Sequence, residues 1–339
     1  MMRHPLFVSA LTLALISAAH AATTPAVQTG RPVVQGTQQL DGQNAQVGQT
    51  FTIGKQSPLN FTLRSAEYST GRMLFGDTIT FPKADEKLLI LHYTVQNPQK
   101  REARYYWGDI KFTAVDALDR NHDYVQAVAR EGTTDKFEIT LKPAQKVDVV
   151  TVIVVPAAGP VPKLMVQREE NGTPQVLRYD LRAKAKPLNA PFADPEDRSG
   201  ATAALRVNVP AGKVVPLRYF DVRLDRVTFT AEPLLGRAPA PGRRYLTATF
   251  VIKNPLGRDV EYSWGNFQAS LKDADGERVE YNQLMLKASR DEKASGTLPR
   301  GEEARVRFYW ELPETVAGDT VYLTDESGRA YAFDVKATK

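Results

Sequence analysis

Apolar and polar residues alternate along much of this chain with the period of two that is typical of half-buried β-strands. In the clearest segment, the predicted inward row consists of Leu89, Leu91, Tyr93 and Val95. An Asn-Pro pair follows at residues 97 and 98, and because proline cannot donate a ladder hydrogen bond, the strand is predicted to end there. Many short strands separated by turn residues, without a clear 3.6-residue period, predict an all-β fold of the antiparallel β-sandwich type.

The chain also contains an internal repeat, because residues 88–156 align without a gap onto residues 245–313. Self-similarity in one long register indicates a duplicated structural unit. The shared positions include Asn97-Pro98 on Asn254-Pro255, and Trp107-Gly108 on Trp264-Gly265. We therefore predict two tandem sandwich domains, which cover residues 46–183 and 203–339.

Three segments lie outside the repeat. Residues 1–21 have a basic start, an apolar run and an Ala-His-Ala end, which predicts a signal peptide cleaved after Ala21. Residues 22–45 are rich in Gln, Thr, Ala and Gly and have few large apolar side chains, so a flexible leader is expected. Residues 184–202 contain three prolines and are predicted to form a semi-stiff interdomain linker.

The composition narrows the chemistry and the compartment. None of the 339 residues is cysteine, which excludes disulfides, thiolate metal sites and cysteine nucleophiles. The net charge of +5 comes from well-mixed charges rather than a cationic tract, so nucleic acid is not expected as a partner. No run after the signal peptide reaches the roughly 18 apolar residues of a membrane span. An exported chain without disulfides fits the periplasm or the exterior of a bacterium.

Metal chemistry has two weak candidates in the sequence. His122 has Asp119 and Asp123 nearby, but one histidine with flexible carboxylates is a poor ligand set, so we expect His122 and the other retained histidine, His92, to be surface residues. The acidic run that starts at Asp273 resembles a calcium loop, but the twelfth position is Leu284 rather than glutamate. We therefore predict a hairpin turn there and no metal site.

Aromatic residues beside a glycine form a further candidate site. Tyr105, Tyr106 and Trp107 could build a stacking platform for a sugar or peptide, or the tryptophan could fill the sandwich core. Both copies keep the Trp-Gly pair, which favours the core for Trp107 and Trp264. Tyr105 and Tyr106 remain the candidate ligand contacts, and Tyr106 is the better candidate because its counterpart is Ser263.

One strand of the first copy is apolar on both faces. Its predicted outward residues are Val150, Val152 and Val154. The corresponding row in the second copy suits a solvated face, because it consists of Arg305, Arg307, Tyr309 and Glu311. An apolar outward row must be covered, either by packing within the chain or by a protein partner or a second copy of the chain.

The residue patterns resemble a known family. The Asp-Ala-Asp-Gly-Glu-Arg turn at 273–278, the Gly-Thr-Leu-Pro-Arg-Gly-Glu run at 296–302 and the strand ending Glu-Leu-Pro at 313 are similar to an immunoglobulin-like domain found in many bacterial lipoproteins and exported proteins. This domain is akin to the mycobacterial immunoprotective extracellular protein. The resemblance implies two immunoglobulin-like sandwiches in an envelope or secreted protein, with no established catalytic residues.

Together these observations predict an exported, non-catalytic protein of the bacterial envelope. No Gly-x-Ser-x-Gly elbow occurs, so no catalytic or cofactor-binding residue is assigned. The first hypothesis is a structural or binding role through contacts with an envelope or extracellular protein, or through self-association. The alternative is a small-ligand or carbohydrate binder that uses the Tyr105–Trp107 region, and behind it stands a hydrolase with a carboxylate pair.

Overall fold

The computed structural model describes residues 42–170, 173–281 and 284–336. Regular structure in these residues is β-strand, apart from two short 3-10 turns at Trp107–Asp109 and Trp264–Asn266. This confirms the all-β sandwich fold predicted from the alternation. The described residues belong to one compact unit. The predicted signal peptide and residues 22–41 of the leader lie outside the described residues.

The first half of the chain, residues 42–180, contains fourteen strands in two five-stranded sheets and two small ones. The strands are β1 Gly42–Ala45, β2 Thr50–Ile53, β3 Leu59–Ser69, β4 Met73–Phe75, β5 Thr78–Thr80, β6 Glu86–Gln96, β7 Ala103–Tyr105, β8 Lys111–Val115, β9 Asn121–Asp123, β10 Ala129–Arg130, β11 Ile139–Leu141, β12 Lys146–Pro156, β13 Lys163–Glu170 and β14 Thr173–Asp180. The large sheets have the orders β1-β14-β13-β8-β9 and β10-β12-β6-β3-β2.

The second half, residues 206–334, has its own two five-stranded sheets. Its strands are β15 Arg206–Val209, β16 Val215–Pro216, β17 Asp221–Thr230, β18 Arg243–Lys253, β19 Val260–Tyr262, β20 Gln268–Asp273, β21 Arg278–Glu280, β22 Leu286–Lys287, β23 Gly296–Leu298, β24 Glu303–Pro313, β25 Gly318–Thr324 and β26 Ala330–Asp334. The sheet orders, β15-β26-β25-β20-β21 and β16-β17-β18-β24-β22, match those of the first half strand for strand.

The core of each half lies between its two large sheets. The alternating row of β6, whose members are Leu89, Leu91, Tyr93 and Val95, is fully buried against the opposite sheet. Trp310 on β24 is fully buried in the second half. Burying such rows supplies the main driving force for a sandwich, since each large apolar side chain contributes about 1.5–3 kcal/mol.

The asparagine of each Asn-Pro pair is a buried structural residue. The Asn97 amide donates to the carbonyls of Arg101 and Leu141 at 2.8 and 2.9 Å. Asn254 donates to the carbonyls of Arg258 and Leu298 at the same two distances. In each half this amide therefore joins the end of a long strand to two other backbone segments, and it pairs the buried carbonyl of Leu141 or Leu298.

The predicted boundaries of the leader and the linker need correction. Residues 42–45, assigned to the leader, form β1 and pair in parallel with β14. Residues 184–202 pack against the first half: the Lys186 amide donates to the Ala66 carbonyl at 2.8 Å, and Leu188 and Ala201 are buried in its core. The proline content predicts a stiff segment, but it does not show that backbone hydrogen bonds and the buried side chains of Leu188 and Ala201 attach this segment to the first half.

Two arginines connect the halves. Arg72 forms an ion pair with Asp221, at 2.6 Å between Nη1 and Oδ1. Arg329 is fully buried and donates to the carbonyls of Lys83 and Glu86, at 3.0 and 2.7 Å, and to that of Ala204. Buried guanidinium groups need such partners, so these contacts hold the two halves in one arrangement.

Candidate ligand-binding face

The two tryptophans at equivalent positions of the repeat, Trp107 and Trp264, lie at the surface. Trp107 is 43% exposed and Trp264 is 48% exposed, so the prediction that both fill the core is wrong. Each begins a 3-10 turn. The side chain of the third residue of the turn accepts a hydrogen bond from the backbone amide of the residue before the turn: Asp109 from Tyr106 at 2.9 Å, and Asn266 from Ser263 at 2.8 Å. This tight local turn directs the indole outward. The Trp-Gly-Asp/Asn spacing was the signal that could have shown it.

Tyr105 is not a surface contact. It is fully buried, and its hydroxyl lies 2.7 Å from that of Tyr93, where burial raises the pKa of Tyr105 well above its ordinary value. Tyr106 is half-buried. The Arg104 guanidinium lies 5.0 Å from the centre of the Tyr106 ring. The rings of Tyr106 and Trp107 form a T-shaped contact. Of the two predicted ligand contacts, only Tyr106 lies at the surface.

The apolar row on β12 is covered by the chain itself. Val150 and Val152 are buried and Val154 is half-buried, in a cluster that includes Phe75 and Ala129. The prediction of an exposed docking strand is therefore corrected, because Phe75 on β4 and the residues Ala127 and Ala129 pack with this row within the chain. The second half does the same at the position equivalent to Val152, where Tyr309 packs with Leu234, Tyr245 and Leu286.

The histidines and the acidic turn have structural partners. The His122 ring nitrogen Nε2 lies 3.0 Å from Oδ2 of Asp116. Burial opposes ionisation of Asp116, but hydrogen bonds from His122 and from the chain at Arg120 hold its pKa below the ordinary value. His92 lies 3.1 Å from Glu131. In the second half, Asp273 accepts from two backbone amides of the β20–β21 turn, at 3.1 and 2.8 Å.

An open groove of about 650 Å³ lies on the outer face of the sheet β15-β26-β25-β20-β21. We name it the cationic face. Its lining residues come from all five strands of this sheet and from the Trp264 turn, and they include Arg206, Trp264, Ser270, Lys272, Arg278 and Tyr322. The small side chains of Ser270 and Ala330 form part of its floor, so the flanking long side chains enclose a depression rather than a filled surface.

The strand register fixes the layout of this face. Arg206 pairs with Ala330 across β15 and β26. Tyr322 opposes Ser270, and Lys272 opposes Arg278. Since neighbouring strands lie about 4.8 Å apart, the distance from β15 to β21 is roughly 19 Å. The face is therefore long enough for an extended ligand rather than for a single small group.

Positive charge predominates on the cationic face. Lys272 lies 3.3 Å from Asp319, and Arg278 lies 2.7 Å from Glu280. Arg206 has no carboxylate within 4.0 Å in the described part of the chain, and its guanidinium lies 5.1 Å from the centre of the Tyr322 ring. A guanidinium held on an aromatic ring keeps its N–H edge available for an anion.

The equivalent face of the first half differs at these positions. By register, Gly42 stands where the second half has Arg206, Met165 where it has Tyr322, and Val115 where it has Lys272. A Cβ atom at Gly42 would collide with the Arg178 guanidinium. The first half therefore has neither of these two cations nor the tyrosine at the equivalent positions, and the guanidinium that lies beside Gly42 there comes from Arg178 on β14.

No protein-family model matches this chain. No curated protein matches it either. Solved structures similar to parts of it include an uncharacterised β-sandwich protein from Clostridium difficile 630, with 14% identity, a TM-score of 0.31, and coverage of 42% of this chain and 97% of that one. Another is the secreted protein MPT63 from Mycobacterium tuberculosis, with 16% identity, a TM-score of 0.30 and coverage of 40% and 95%.

A third similar structure is the yjhA protein from Bacillus subtilis, with 17% identity, a TM-score of 0.28, and coverage of 40% of this chain and 98% of that chain. Among the residues that the structure describes, no helix has the length and hydrophobicity to cross a bilayer.

Proposed function

We propose that this chain is an exported, non-catalytic binding protein of the bacterial envelope, built from two tandem immunoglobulin-like sandwiches, and that its second half binds a saccharide on the cationic face. The observation that supports this most strongly is Trp264, which is about half exposed and lines the groove together with polar side chains. An exposed indole beside polar side chains is suited to stacking against the apolar face of a sugar ring.

The polar lining of the groove complements this stacking surface. Gln268, Thr324 and the Tyr322 hydroxyl line the same groove as Trp264. Such groups donate to and accept from hydroxyls, which a saccharide presents in number. The groove spans several strands, so the side chains that would contact the ligand are positioned by the rigid sheet rather than by a mobile loop.

This proposal takes the carbohydrate alternative of the sequence and moves it to the other half. Val152 is fully buried, so it offers no exposed surface on which a protein partner could dock. Tyr105 is likewise buried in the first half. The repeat counterpart of Trp107, which is Trp264, adjoins a groove with polar and cationic lining, and this favours a ligand over a protein partner.

The test is calorimetric titration of the whole exported chain with a panel of neutral and acidic oligosaccharides. For a saccharide that binds, Trp264→Ala is expected to weaken binding at least about tenfold. Trp107→Ala is the matched control, because it removes an equally exposed indole from the same turn of the first half. The proposal fails if no saccharide binds, or if both variants weaken binding equally.

A further inference from the structure

We infer that the saccharide bound by the cationic face is an acidic one, a uronate oligomer whose carboxylate is bound by Arg206 while a ring stacks on Trp264. This inference rests on the proposed function of the same face. It names the chemical class of the saccharide. It follows from the cations of this face and the strand register that places them, rather than from the exposed indole. Three cations line the groove against the single carboxylate of Glu280.

Arg206 is the best placed of these cations. It is exposed at the β15 edge, lies against the Tyr322 ring, and has no acidic partner within 4.0 Å in the residues the structure describes. Arginine binds a carboxylate with two parallel N–H donors, and a guanidinium already ordered on an aromatic ring loses little further freedom in doing so. A ligand carboxylate would therefore supply the one partner that Arg206 lacks.

Lys272 can also turn toward a ligand at little cost. Its carboxylate partner, Asp319, has a second lysine, Lys336, at 2.9 Å. The hydrogen bond from Lys336 is the main reason that the pKa of Asp319 is lowered to about 2. Asp319 therefore keeps a cationic partner if Lys272 moves away.

Arg278 provides the third positive charge at the opposite edge. Its ion pair with Glu280 joins two strongly exposed side chains, which are 70% and 66% accessible. Exposed pairs of this kind contribute little and exchange readily. With Arg206 on β15 and Arg278 on β21, positive charge stands at both edges of a face roughly 19 Å wide. This spacing suits a polymer with a carboxylate on successive rings better than a single acidic sugar.

The probes are hexamers of galacturonate and of mannuronate, each compared with its own methyl ester, which removes the charge and keeps the ring. At least one acid is expected to bind the whole exported chain at least about tenfold more tightly than its ester. Raising the salt from about 0.05 to 0.5 M is expected to reduce that preference, because screening weakens exposed charge contacts.

Arg206→Gln is expected to remove most of the preference for the acid and to leave the binding of the ester unchanged. Arg206→Lys, which keeps the charge without the two-pronged geometry, is expected to retain part of it. Lys111→Gln is the matched control: it removes one exposed charge from the outer face of the first half and is expected to change neither affinity.

The outcomes separate this inference from the proposed function. Equal binding of acid and ester, with both lost in Trp264→Ala, would keep the saccharide site and overturn the acidic ligand. A preference for the acid that Arg206→Gln leaves intact would overturn the assignment to Arg206. Binding of neither form would overturn this inference, and the saccharide site would fail with it only if the neutral oligosaccharides of the panel did not bind either.

Discussion

The Nη1 atom of Arg72 lies 2.6 Å from Oδ1 of Asp221, and this pair joins a loop of the first half to the first residue of β17 in the second. The same guanidinium donates to the carbonyls of Arg218 and Phe220, at 3.2 and 2.8 Å, and to that of Leu217. The Arg72 side chain is only 10% accessible, so it takes the place of water as a donor to Asp221 and these carbonyls.

Replacing Arg72 with alanine is therefore expected to leave Asp221 and the carbonyls of Leu217 and Arg218 without this donor, whereas the Phe220 carbonyl keeps the Leu217 amide at 2.7 Å. We expect the free energy of unfolding in urea to fall by about 2–3 kcal/mol. Arg182→Ala, which breaks the exposed pair with Asp180, is the control and is expected to have a small effect. Equal losses in the two variants would show that the Arg72 contact adds no more than a surface pair.

Lys87 predicts a pH dependence of stability. Its side chain is fully buried and donates to the carbonyls of Ala157, Gly159 and Ala201, and burial lowers its pKa to about 8. The unfolded chain, with an ordinary lysine pKa near 10.4, binds more protons than the folded one between these values. Stability is therefore expected to rise between about pH 8 and pH 10, by about 2 kcal/mol.

The measurement is urea unfolding across that pH range for the protein and for Lys87→Met. The rise should be absent from the variant and should persist in Lys83→Met, which changes an exposed lysine four residues earlier. A rise of the same size in Lys87→Met would assign the pH dependence to other groups.

The hydroxyl pair of Tyr93 and Tyr105 predicts a non-additive effect. The two oxygens lie 2.7 Å apart in the core, so Tyr105→Phe leaves the Tyr93 hydroxyl buried without its partner. We expect the single variant to lose about 1–2 kcal/mol of unfolding free energy and the double variant Tyr93→Phe/Tyr105→Phe to lose less than the sum of the two singles. Chemical denaturation of all four proteins measures this, and strict additivity would contradict it.

A charge at Val152 is expected to unfold the protein rather than to dissociate it. This side chain is fully buried in the cluster that contains Phe75. Val152→Lys would therefore bury an unpaired ammonium and lower the free energy of unfolding by at least about 3 kcal/mol. Light scattering combined with thermal unfolding tests this. Val214→Lys, at a valine that is 49% exposed, is the control that should stay folded. A well-folded Val152→Lys monomer derived from a dimer would restore the docking strand.

The strands were predictable where one local rule determined them. Alternation found the inward row of β6, because a period of two on a half-buried sheet shows in consecutive residues. The covering of Val152 was not predictable, since it depends on Phe75, a residue that comes near only after the chain has folded back.

The cationic face could not be found from the sequence for a similar reason. Arg206, Lys272 and Tyr322 are distant in the chain, and only the strand order β15-β26-β25-β20-β21 brings them to one surface. Trp264 was noticed in the sequence but placed inside, because occurrence in both copies fits a core residue and the first residue of a 3-10 turn equally well.

The Asn-Pro pairs also affect how the protein ages chemically. Asparagine side chains deamidate when the backbone nitrogen of the next residue attacks the amide and closes a succinimide ring. Pro98 and Pro255 have no N–H to lose, so this ring cannot form at Asn97 or Asn254. Conversion to aspartate would replace a two-proton donor by an acceptor that faces two carbonyls, one of them buried. The residue that closes the end of each long strand is thus protected from the reaction that would harm it most.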